Sequence, residues 1–300
     1  MYNTLIAYLR CNSILFCENI SASSLVSFKI GGNADIVVYP HEKCHITDII
    51  KLLRNEKIRY TVLGNGTNTY FSDEGYRGVI ISTKLFNKAF VSGEYLVAQC
   101  GASIMTCAEL ALMNGLAGLE FAYGIPGNVG GCVYMNASAF NRDMTDVVIK
   151  STVYNSDTDE IYDISLKEHN YGMKHSVFME NRSLIVLETS FKLEYGVKDV
   201  IRINMESNMQ KREKSQPLDL PSAGSVFKRP VNGFASKFID EAGLKGTRIG
   251  DAFVSQLHAG FIVNIGCATA SDVKKLIQLI KDKVYNLYGV LLEEEIIYIE

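Results

Sequence analysis

Three stretches of the 300-residue chain set glycine beside asparagine or threonine in patterns suited to holding a ligand against bare peptide. "SFKIGGNADIVVYP" places Gly31 and Gly32 ahead of a strand-like run, and "VLGNGTNTYF" places Gly64, Asn65, Gly66, Thr67 and Asn68 directly after one. "GIPGNVGGCVYMNASAF" crowds Gly124, Ile125, Pro126, Gly127, Gly130 and Gly131 into eight positions, then runs to Asn136 and Ala137. Glycine reaches positive φ without steric cost and brings its amide close to a ligand. Successive amides make a concavity for phosphate oxygens, and Thr or Asn side chains add donors. No GK[ST] follows any of the three, so none is a Walker loop. None reads GxGxxG opening a helix, so a Rossmann site is not supported. Any one loop alone reads equally as a set of tight turns. Three on one half of the chain favour a pyrophosphate.

The elements that must position these loops are mixed in order. Strand-like runs rich in β-branched and aromatic residues recur: "ADIVVYP", "YTVLG", "GVIIST", "EYLVAQCG", "VVIKSTVYN" and "SLIVLETSFKLE". Helical periodicity appears in "HITDIIKLLRNEK", with Ile46, Ile49, Ile50 and Leu53 on one face, and in "SIMTCAELALMNG". It appears again in "SDVKKLIQLIKDKVYNLYG", where Ser271 is the expected N-cap. This order predicts α+β layers over a doubly wound sheet. The charged stretch "MESNMQKREKSQPLDLPSAG" reads as a boundary near residue 205. Residues 1–204 are then a ligand-binding unit and 205–300 a second domain.

Composition narrows the function. A formal net charge of -3 with 21% charged residues removes the electrostatic case for nucleic acid. Seven scattered cysteines without a CxxC pair fit small apolar residues in a reducing compartment, against a disulfide framework or zinc knuckle. His41, His45, His169 and His175 form no metal-ligand pattern. Arg10 and Asn12 interrupt the apolar N-terminus, which reads as a packing helix over a signal sequence. No segment approaches the roughly 20 apolar residues of a bilayer span. A cytoplasmic protein with a small-molecule partner is expected, without membrane insertion.

Taken in register, "LGNGTN", "GLEFAYGIPGNVGGCVYMNASAF", "QPLDLPSAGSVFKRP", "GLKGTRIGDAFVSQLHAGFIVN" and "LEEEI" resemble the UDP-N-acetylenolpyruvoylglucosamine reductase (MurB) family. The resemblance runs from about Ser27 to Glu295. It implies an FAD-binding domain of the vanillyl-alcohol-oxidase (PCMH) type in two lobes, about 20–84 and 85–204, and an α+β substrate domain at the C-terminus. It implies non-covalent FAD along Gly64–Asn68, Gly124–Gly127, Gly130, Gly131, Asn136 and Ala137. It implies NADPH as hydride donor, UDP-N-acetylglucosamine enolpyruvate as substrate, and a monomer. The family reduces that enol ether to UDP-N-acetylmuramate in peptidoglycan precursor synthesis.

By the same resemblance Ser225 in "AGSVF" is the proton donor, and Glu295 in "LEEEI" the carboxylate that assists substrate polarisation. Gln216, Lys228 and Arg229 fall in substrate-binding stretches. "YGMKHSVF" departs from the family pattern FGYRxSxF: Met173 replaces Tyr and Lys174 replaces Arg. Lysine keeps the charge without the bidentate fork. Lys174 is expected to bind the substrate carboxylate; the competing reading is a merely exposed lysine. Arg229 stands in place of Asn, Ser138 in place of Gly, and Gly260 where Asn is common. The interval from Ser176 to Ser225 is too short for the tyrosine-bearing loop of one subgroup. His258 reads as structural, with nucleotide contact as its alternative. Two rivals remain open: another flavoenzyme on this scaffold, and a non-catalytic flavin-binding homologue.

Overall fold

The computed structural model describes residues 2–300. The chain forms two compact units. One takes the chain up to Glu18, Ile36–Asn65 and Gly78–Gln210; the other takes Asn19–Asp35, Gly66–Arg77 and Lys211–Glu300. This differs from the expected single boundary near residue 205. The charged run there enters a continuous 18-residue helix, Lys198–Ser215, which buries Ile201 and Met205 and leaves Val200 and Ile203 exposed. Segments 19–35 and 66–77 join the C-terminal unit through long-range contacts that composition does not report.

In the first unit a five-stranded antiparallel sheet runs in the order Glu160–Ser165, Val148–Asn155, Leu184–Lys192, Tyr95–Gln99, Ala89–Ser92. Strand Tyr60–Leu63 pairs in parallel with the strand Tyr76–Ser82, from Tyr60↔Val79 to Leu63↔Ser82. Helix Lys43–Asn55 buries Ile46, Ile49, Ile50 and Leu53, the face its spacing predicts. The N-terminal helix Asn3–Cys11 buries Leu5 and Leu9 in the same core. Helix Ile104–Met113 starts at Ser103, whose hydroxyl accepts from the Thr106 amide. Cys100, Cys107 and Cys132 are buried here, whereas Cys11 and Cys44 are exposed and Cys17 is half-buried. Packing therefore explains three of the seven cysteines and leaves the others on or near the surface; Cys267 in the second unit is also exposed.

The second unit has its own core. Four antiparallel strands run in the order Ser222–Ser225, Phe261–Asn264, Ala252–Val254, Arg248–Ile249. Helix Ala270–Tyr288 buries Val273, Leu276, Ile277, Ile280 and Val284 along one stripe. Each such side chain contributes roughly 1.5–3 kcal/mol on burial. Its N-cap is Thr269 and not Ser271: the Thr269 hydroxyl accepts from the Asp272 amide, and Asp272 reaches back to the Thr269 amide. The two amides this box leaves over, at Ala270 and Ser271, donate to the Asp73 carboxylate at 2.7 and 3.0 Å. Ser271 is thus a first-turn residue. Strand Thr69–Phe71 lies parallel to Ile297–Ile299 in this unit.

Candidate active site

In the first unit the start of the 64–68 loop meets the 124–131 loop. The Asn65 side-chain amide donates to the Pro126 carbonyl at 2.6 Å. Asn128, beside Gly64, is buried and donates to the Gly101 carbonyl. The loop backbone is stitched to its neighbours by Ile104 N–H to Gly127 O at 3.1 Å and Gly130 N–H to Cys100 O at 2.8 Å. "GNVGG" then opens a six-residue helix, Val129–Tyr134, where a continuous loop is the expectation. Of the glycines in the three stretches, Gly31, Gly66 and Gly124 adopt positive φ. Gly130 and Gly131 are in the helix for a different reason. A Cβ on Gly130 would fall 2.8 Å from the Cys100 Cβ, whereas one on Gly131 would meet nothing within 4 Å. Packing within the chain accounts for the first glycine and not for the second.

The same helix end supports the segment carrying Lys174. Gly172 and His175 exchange main-chain hydrogen bonds at 3.1 and 3.3 Å, closing a two-residue turn over Met173 and Lys174. Lys174 has φ +54°, at the third turn position, where glycine or asparagine is favoured. Met173 is 62% exposed at the tip, while Lys174 is half-buried. Burial pushes the Cys132 thiol up to about 12, and the Lys174 charge acts against that rise. The turn that carries Lys174 is fastened beside the end of the helix with the glycine pair, through Gly172 to Asn136 and Ser176 to Tyr134.

In the second unit three further motif stretches meet. The Glu295 amide donates to the Val226 carbonyl, the residue after Ser225, at 2.8 Å. The Asn68 side chain donates to the Glu295 carbonyl at 3.0 Å, and the Ile297 amide to the Asn68 carbonyl at 2.9 Å. Between Ser222 and Ser225 the strand slips register, with Gly224 at φ +78°. A bulge of this kind bends the strand and re-aims the next side chain. Ser225 is the residue it re-aims. It remains half-buried and pairs with Phe261.

The expected substrate residues are distributed less tightly. Lys228 follows on the same stretch, but its ammonium lies 3.4 Å from Glu293. Arg229 stacks its guanidinium 4.1 Å above the Phe234 ring. The Gln216 side chain accepts from Arg212 at 3.1 Å. Glu294 pairs with Lys281 at 3.1 Å. His258 accepts from the Gly260 amide at 3.1 Å and packs against Phe261, as a structural histidine does. Burial holds its pKa below the usual range.

Several residues near these stretches carry features that sequence reasoning did not single out. Asn128 Oδ1 and Tyr171 Oη are buried without a hydrogen-bond partner among the described residues. Burial also pushes the Tyr171 phenol pKa up. The asparagine was visible in the glycine-rich run; Tyr171 carried no such signal. Ser27 donates to the Ser222 carbonyl at 2.6 Å, tying the first glycine stretch to the strand of Ser225.

Comparison with known proteins adds an independent line. Residues 34–165 match the family model for an FAD binding domain, and 216–299 the model for a UDP-N-acetylenolpyruvoylglucosamine reductase C-terminal domain. The UDP-N-acetylenolpyruvoylglucosamine reductase of Caldicellulosiruptor bescii is 40% identical over 294 residues, 97% of this chain and 93% of that protein. UDP-N-acetylenolpyruvoylglucosamine reductase 2 of Bacillus anthracis is 43% identical over 268 residues, 89% of this chain and 87% of that one. The crystal structure of the Thermus caldophilus reductase superposes with a TM-score of 0.80 at 29% identity, covering 96% of this chain and 99% of its own.

Proposed function

The chain belongs to the UDP-N-acetylenolpyruvoylglucosamine reductase family, and from that premise we propose how its own residues divide the work. The protein is an FAD-dependent oxidoreductase that reduces UDP-N-acetylglucosamine enolpyruvate to UDP-N-acetylmuramate with NADPH, in peptidoglycan precursor synthesis. FAD, when bound and reduced by NADPH, supplies the hydride.

The residues of the first unit suit that cofactor. Gly131 leaves open space above a helix turn, and Asn128 Oδ1 and Tyr171 Oη are buried polar atoms in want of partners. A buried polar group left unpaired costs about 1–3 kcal/mol, so a ligand able to pair with such atoms is favoured. Of this unit we assign Gly64, Asn65, Gly124–Gly127, Gly130, Gly131 and Ala137 to the cofactor's surroundings. Gly130 helps by letting the helix approach Cys100, and Gly131 by direct approach of the ligand.

An enol ether resists hydride addition unless the adjacent carboxylate takes up developing charge. Lys174 would hold that carboxylate as a point charge, and Glu295 would help to polarise the substrate. Ser225 Oγ would deliver the proton to the carbon that does not receive hydride. A serine hydroxyl is a weak acid, so it serves only a strongly basic carbon held close by. Lys228, Arg229 and Gln216 are assigned to the nucleotide portion, where Arg229 offers a planar fork for phosphate.

One observation carries the assignment of Ser225 and Glu295: the Asn68, Val226 and Glu295 stretches are hydrogen-bonded to one another within a single unit. No helix among the described residues is long and apolar enough to cross a membrane. The reading extends to a cytoplasmic monomer, which sedimentation and cell fractionation test. The reaction itself is tested without oxygen. NADPH should bleach the yellow protein, and the enolpyruvyl nucleotide should then restore its colour. Bleaching without that return would overturn the assignment; return of colour in air alone would point to an oxidase.

A further inference from the structure

Asn136 is a flavin-binding candidate by position, yet its side chain is engaged elsewhere. It is 2% exposed and adopts φ +43°, a conformation asparagine tolerates better than most residues. Its amide nitrogen donates to the Gly172 carbonyl at 2.9 Å and reaches Asp143 Oδ2 at 3.3 Å, while its oxygen accepts from the Thr145 hydroxyl at 3.5 Å. Asp143 is fixed in turn, because it caps the next turn and accepts from the Thr145 amide at 2.9 Å. The carboxamide thus has a protein partner on each side.

Gly172 is the first residue of the turn that presents Lys174. On the other arm, fully buried Ser176 donates to the Tyr134 carbonyl at 2.6 Å. Both arms are therefore fastened to the same place, the last turn of helix Val129–Tyr134 and the residues just after it. The turn holds an L-lysine in the left-handed region, a strained conformation for a residue with a Cβ. Such a conformation persists only where its surroundings over-determine it. The bonds from Asn136 and Ser176 supply that constraint.

We propose that Asn136 is a positioning residue for Lys174. It fixes the turn, and hence the placement of the ammonium group, and does not itself touch the cofactor. This rests on the reading that Lys174 holds the substrate carboxylate.

The test uses the flavin-loaded enzyme. Asn136→Gly keeps the backbone conformation accessible and deletes the clamp; Ser176→Ala loosens the other arm, should the first variant fold poorly. Loss of one hydrogen bond corresponds to roughly a threefold to tenfold effect. The expected result is that loss in kcat/KM for the enolpyruvyl nucleotide, with flavin content and the rate of flavin reduction by NADPH unchanged. In a Lys174→Ala background the same substitution should add nothing further, because residues acting through one group are not additive. Loss of flavin, or slowed reduction by NADPH, would make Asn136 a cofactor ligand and overturn the proposal. An equal loss with and without Lys174 would also overturn it. Full turnover by Lys174→Ala alone would instead reject the Lys174 role on which the proposal stands.

Discussion

The two units hold their functional residues in different ways. In the first, main-chain bonds such as Gly130 to Cys100 are joined by single side-chain clamps: Asn65 to Pro126, Asn128 to Gly101, Asn136 to Gly172, Ser176 to Tyr134. In the second, much of the fastening is main chain to main chain: Glu295 to Val226, Ile297 to Asn68, and Lys228 to Glu293 at 2.8 Å. A backbone ladder survives the loss of the side chains it displays, whereas a side-chain clamp does not. Substitution in the second unit should therefore remove chemistry and leave geometry. Substitution in the first should disturb geometry as well, unless the substituted residue is itself under strain.

The largest expected effect tests the ladder. Ser225→Ala should lower kcat by about 10²–10⁴-fold, the usual contribution of a positioned proton donor. The thermal midpoint and flavin reduction by NADPH should be unchanged, because the Val226–Glu295 and Ser225–Phe261 pairings are made by the main chain. A large drop in midpoint would show that the hydroxyl is part of the scaffold, and the contrast between the units would fail. Lys174→Gly is the complementary case. Turnover should fall roughly tenfold to a hundredfold, the range for losing a hydrogen bond to a charged group. Yet the protein should become more stable, by up to about 1 kcal/mol, because glycine accepts φ +54° without strain. Alanine there would keep the strain, so only the glycine variant should gain. A glycine variant that is both slow and less stable would mean that Lys174 is a structural residue.

Most elements were legible because burial leaves a period in the sequence. The stripe Ile46, Ile49, Ile50, Leu53 and that from Val273 to Val284 lie on the faces their spacing predicts. The motifs of the second unit were legible too, as each is a contiguous run. What stayed hidden depends on contacts between distant residues. Ser271 and Thr269 both precede an apolar face; Asp272, three residues after Thr269, and the remote Asp73 decide between them. Asn136 reads as part of a ligand loop, and nothing near it in sequence shows that its amide donates to Gly172, 36 residues later. Lys174 stands where the resemblance implies an arginine, and its left-handed backbone conformation left no mark in the sequence.

The smallest effect separates two adjacent residues of the first unit. Both Gly130 and Gly131 lie in helix Val129–Tyr134, where alanine is intrinsically favoured by about 1 kcal/mol. At position 130 the added methyl would collide with Cys100, so Gly130→Ala should destabilise by about 1–3 kcal/mol, the cost of overpacking. At position 131 the methyl meets no protein atom, so Gly131→Ala should stabilise the flavin-free protein by about 0.4–1 kcal/mol. If the ligand approaches there, the same variant should release its flavin more readily on dilution, measured by fluorescence of the freed chromophore. Opposite signs in stability for the two neighbours, with weakened flavin retention at 131, would mark where packing within the chain ends and contact with the cofactor begins. Equal destabilisation at both sites would mean that the helix tolerates no side chain on this face, and Gly131 would lose its place in the cofactor's surroundings.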